Sequence, residues 1–98
     1  MHRSPQQLTL REKLSEAEKL TRELMHHVEH GFVPKAHDLR RVTRQSSDPN
    51  AEEVSDLTVR NTAARTLESD QYTRKLCEQL NGMLRYIQDD IERLQGRA

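Results

Sequence analysis

Aromatic residues are scarce: the 98-residue chain has no tryptophan, one phenylalanine and two tyrosines. The large rings that dominate most small cores are therefore missing. Apolar residues make up 33% of the chain and charged residues an equal 33%, too lean a mixture for a thick core. Small domains already bury a reduced share of their surface. Such a chain must form a slender helical bundle or borrow apolar surface from another subunit.

Cysteine occurs once, which excludes an internal disulfide framework and any Cys-x-x-Cys pair. Its place among apolar residues suits a buried thiol in a reducing compartment, so an intracellular location, cytoplasmic or nuclear, is expected. Net charge is lacking too. Sixteen basic residues balance 16 acidic ones, leaving no global field to draw in nucleic acid or anionic lipid. No stretch nears the roughly 18 apolar residues that span a bilayer, and residues 1–7 have no apolar core of the signal-peptide type. Membrane insertion and ordinary export are not expected. Glycine and proline number three each, no glycine-rich phosphate loop occurs, and no proline follows Pro49.

What the chain does have is a heptad rhythm. Thr73, Cys77, Leu80, Leu84, Ile87, Ile91 and Leu94 recur at alternating steps of four and three, the spacing of one face of a supercoiling helix. Such a face is unstable in water unless something covers it. Leu76 and Met83 stand one residue before Cys77 and Leu84. They widen the stripe to three positions per heptad, more than a two-stranded coil uses, and place this helix among several neighbours. Leu10, Leu14, Ala17, Thr21, Leu24 and Val28 repeat in the same rhythm near the N-terminus, so the chain can fold back on itself or join other subunits.

Helix limits follow from local signals. Residues 1–8 read as a disordered lead, after which Thr9 and Glu12 have capping-box spacing and open a helix over residues 9–30. Glu18 with Arg22, and Lys19 with Glu23, add favourable pairs four apart. Gly31 is the expected stop, and Phe32, Val33 and Pro34 an expected break. A short helix over residues 35–45 carries Ala36, Leu39 and Val42. Asp48 is then the candidate N-cap of a long helix over residues 49–95, with Pro49 at its first position and Glu52 and Glu53 in its acidic first turn. Extended backwards, the seam reaches Val59, Ala63, Thr66 and Asp70, which are small or polar. Ser69 and Asp70 are a competing start for a fresh helix, whereas Asn81 and Gly82 are not a turn, because apolar periodicity runs straight across them. The fold class is all-α: an elongated helical hairpin or small helical bundle, with a coiled-coil C-terminal helix, in one domain over residues 9–98.

Few residues suggest chemistry. His26 and His30 lie four apart on one helical face with Glu23 near, and two imidazoles so spaced can ligate one metal ion. Solvated side chains near a helix C-terminus are the plainer reading, since His37 or another chain would have to supply the remaining ligands. Lys35, Arg40, Arg41 and Arg44 are the one local excess of charge and could meet phosphates. A solvated helix face explains them as well, and no aromatic side chains interleave to stack bases. Glu52, Glu53 and Asp56 suit a helix dipole. Cys77 has only Arg74 as a cationic neighbour at helical spacing, which favours inert burial over nucleophilic use. No catalytic grouping is evident, and no cofactor is implied.

The expected function is therefore non-catalytic: a structural or adaptor subunit of a multiprotein assembly, holding other chains in a homo- or hetero-oligomer. The contact residues would be Leu76, Leu80, Met83, Leu84, Ile87, Ile91 and Leu94, supported by Leu10, Leu14, Leu24 and Val28. An alternative is a helical chaperone or regulatory module that shields a client's hydrophobic helix. Nucleic-acid binding through Lys35, Arg40, Arg41 and Arg44 ranks third.

Overall fold

A capping box opens the first long helix. In the computed structural model, which describes residues 4–49 and 55–96, the Thr9 N–H donates to Glu12 Oε1 at 3.1 Å. The Glu12 N–H donates back to Thr9 Oγ1 at 3.1 Å, so two orphan donors are satisfied together. Replacing Thr9 with alanine is expected to lower stability by about 1 kcal/mol and Tm by about 4–8 °C, as thermal unfolding would show.

The helix α1 that starts there spans Leu10–His27, a wide π turn follows over Val28–Phe32, and α2 spans Val33–Ser47. After a gap in the described residues, α3 spans Asp56–Gln95. Among the described residues every element is helical, no strand occurs, and no helix is long and apolar enough to cross a membrane.

Several expected boundaries are corrected. Part of the lead is ordered: Pro5–Gln7 form a 3-10 turn, closed by the Gln7 N–H on the Ser4 carbonyl and by the Ser4 N–H on Gln7 Oε1. Leu8 packs against the core behind it. Gly31 does not stop the helix, for no described glycine takes a positive φ. Nor does Pro34 break it. The Val33 N–H reaches back five residues to the Val28 carbonyl, and this widened turn is where the missing donor of Pro34 is absorbed. Asp48 ends α2, with φ −96° and ψ 113°, instead of opening α3. That role falls to Ser55, whose Oγ accepts from the Thr58 N–H at 3.2 Å. Glu52 and Glu53 lie outside the described residues. The helix continues unbroken through Ser69 and through Asn81 and Gly82.

The chain divides into two compact units, one of Met1–Leu24 with Lys75–Ala98 and one of Met25–Arg74. In the first unit Ala17, Leu20, Met83 and Ile87 form the buried cluster, flanked by Leu8, Leu10 and Leu80. Each of the larger side chains contributes about 1.5–3 kcal/mol by leaving water. Lys13 of α1 meets Asp90 of α3, while Glu16 and Leu20 line a concavity with Gln79 and Met83, so residue numbers rise on one helix as they fall on the other, and the pair is antiparallel.

The second unit is held together differently. Thr66 and Ser69 are buried, as is Val42 of α2, and polar contacts cross between the helices. The Thr66 hydroxyl donates to the Lys35 carbonyl at 3.2 Å, and His27 Nε2 lies 3.0 Å from the Ser69 carbonyl. Side chains that touch the opposite backbone require close helices, which the small residues Ala63, Thr66 and Ser69 permit. Gly31 belongs to this contact, since a Cβ there would stand 3.0 Å from the His27 ring. Tyr72 closes the other side of that ring, edge to face at 4.5 Å.

Candidate partner-binding face

The first unit fills its seam with residues that sequence spacing only half identifies. Steps of three and four connect the half-buried or buried side chains Leu10, Lys13, Ala17, Leu20 and Leu24 on α1. On α3 the corresponding row is Leu76, Leu80, Met83, Ile87 and Asp90. Of the expected residues, Leu10, Ala17, Leu24, Leu80 and Ile87 stand in this row, as do Leu76 and Met83 of the widened stripe, next to which Cys77 and Leu84 are left at its edge. Lys13 stands in the seam in place of Leu14, Leu20 in place of Thr21, and Asp90 in place of Ile91.

The shift centres on an ion pair. The Lys13 side chain is only 3% exposed and its Nζ lies 2.6 Å from Asp90 Oδ2, while Asp90 also accepts from Arg93. The hydrogen bond from Lys13 holds the Asp90 carboxyl below the ordinary aspartate range. Burial pushes the other way, and the charges of Lys13 and Arg93 add to the lowering. A charged pair within an apolar seam pins register, because sliding the helices would leave each charge buried and alone.

The displaced leucines and isoleucine line one edge of the pair. Leu14 is 49% exposed, Leu84 47% and Ile91 43%, and Leu94 beyond them is also exposed. Each of the first three follows a seam residue by one position. In an antiparallel pair such positions on the two helices border the same edge. The opposite edge confirms the geometry: Glu16, Gln79 and Tyr86, which each precede a seam residue, line one open concavity of about 340 Å3. Cys77 is half-buried and its thiol is free.

The remaining candidates lie in the second unit. Val28 is half-buried in the π turn. The exposed rings of His26 and His30 sit 4.6 Å apart, but among the described residues no group of three or more metal-ligating side chains forms. Arg40, Arg41 and Arg44 gather with His37 and Gln45 around an open concavity of about 460 Å3 on α2, while Lys35 is not part of it. Arg41 is tied to Asp38 at 3.6 Å.

Sequence spacing did not single out Lys13, Leu20 or Asp90, nor the contact of His27 with Ser69. The one available signal for the first group was that Leu20, Met83 and Leu76 form an equally regular row one residue earlier. Compared with protein-family models, curated proteins and solved structures, the chain matches none.

Proposed function

We propose that the chain is a non-catalytic structural or adaptor subunit that works by binding protein through helix packing. One observation carries this reading: the seam of the first unit is filled from within the chain, yet Leu14, Leu84 and Ile91 still form an exposed apolar row beside it. Exposed large apolar side chains set along one edge are a mark of interaction sites. It also extends the buried seam, as a stripe of three positions per heptad does in a bundle.

A double variant, Leu84→Glu with Ile91→Glu, tests the reading. In extract from expressing cells the full chain is expected in species heavier than a single chain, and the variant at single-chain mass with its helicity intact. An unchanged mass profile overturns the proposal.

A further inference from the structure

We infer that the exposed row of the first unit is covered by a second copy of the chain, the two helix pairs meeting face to face across a two-fold axis. This rests on the reading of that face as a protein-binding surface and names its occupant.

The face is unlike the rest of the molecule. On α3 its edge and outer shoulder comprise Cys77, Asn81, Leu84, Gln88, Ile91 and Gln95, none of them charged, in a chain that is 33% charged. Charged residues are depleted where an interface buries its centre. Coverage from within is incomplete, for no side chain among the described residues is more than 98% buried. The chain's zero net charge places no global repulsion between copies.

Two independent features select a second copy. On the shoulder of α1, the exposed residues Arg11 and Glu18 stand three before and four after Leu14. A two-fold axis perpendicular to the helix, between Leu14 and Ser15, sets Arg11 of each copy opposite Glu18 of the other. The contact of Lys13 with Asp90 then fixes where that axis meets α3: level with Gln88 and Asp89. The midpoint of Leu84 and Ile91 lies about one residue from that level, so each Leu84 comes opposite an Ile91 of the other copy with a stagger of about two residues, or about 3 Å, within reach of side chains this long. One axis thus pairs opposite charges on α1 and apolar side chains on α3, as a self-complementary isologous interface requires. Among the described residues Glu18 has a loose alternative, Arg22 at 3.7 Å on the same exposed helix surface.

Light scattering on the purified full chain at micromolar concentration, combined with a charge swap, tests this. The wild type is expected at about twice the 11.5 kDa chain mass. Arg11→Glu alone, which sets Glu against Glu twice per dimer, is expected to weaken dimerisation about tenfold. Arg11→Glu combined with Glu18→Arg is expected to return it to within about twofold of wild type. A wild type that stays at single-chain mass, or a double swap that fails to rescue, overturns the inference. The broader reading fails separately: a purified monomer whose heavier species in extract still depend on Leu84 and Ile91 sinks the second copy and leaves the adaptor.

Discussion

Ile87→Ala is expected to lower the unfolding free energy by about 2–5 kcal/mol, and Tm by about 10 °C or more, at every protein concentration. The side chain is buried among Ala17, Leu20 and Met83, where two thin helices have little freedom to collapse around a missing group. Leu84→Ala removes a similar side chain three residues away, yet at dilution below any association it is expected to change stability by only about 0.5 kcal/mol. Half of Leu84 is already in water. Thermal unfolding of both variants at low concentration separates the two roles. Equal losses would place Leu84 in the seam and contradict the register described above.

The second large effect concerns the ion pair. Asp90→Leu leaves the ammonium of Lys13 in the seam with its carboxylate partner gone, and Lys13→Met leaves Asp90 with Arg93 alone. Both are expected to destabilise, the first more severely, because Arg93 still serves Asp90 in the second. Combining Lys13→Met with Asp90→Leu is expected to bring stability back to that of the wild type or above it, since well-packed apolar residues replace a buried pair without loss. The pH dependence follows the same contact. The folded-state pKa of Asp90 is lowered, so its contribution is complete above the ordinary aspartate value of about 3.9. It is lost as pH falls through the lowered value. Urea unfolding at about pH 7 and about pH 3 should show this acid loss in the wild type and a smaller one in Lys13→Met. A pair that behaves additively in the double variant would show the two charges to be energetically unconnected.

How much of this was legible beforehand depends on which forces decide each feature. The capping box at Thr9 and Glu12, the all-helical class and the passage of α3 through Gly82 are local matters, and spacing and propensity revealed them. The seam was only half legible. Two rows one residue apart are equally periodic, and Leu14, Leu84 and Ile91 make the more apolar choice. What favours the other row is Lys13 meeting Asp90, 77 residues away along the chain, a tertiary event that no local window contains. The rejected row was still informative, because its outer members became the exposed face. Pro34 misled for a related reason: a proline stops an ordinary α-helix, but a widened turn accommodates it.

The π turn at Val28–Phe32 also behaves as a phase corrector. Continued as plain α-helix from the half-buried His27, these residues would bring Asp38 and Arg41 to within about 40° of its side and turn Leu39 and Val42 away by about 120° and about 60°. The turn takes up one extra residue, which leaves Val42 buried and Asp38 and Arg41 in water. A single-residue deletion within 28–32 could therefore close to regular α-helix with Leu39 and Val42 still in phase. The same deletion in the middle of α1 or α3 would rotate every residue beyond it out of register.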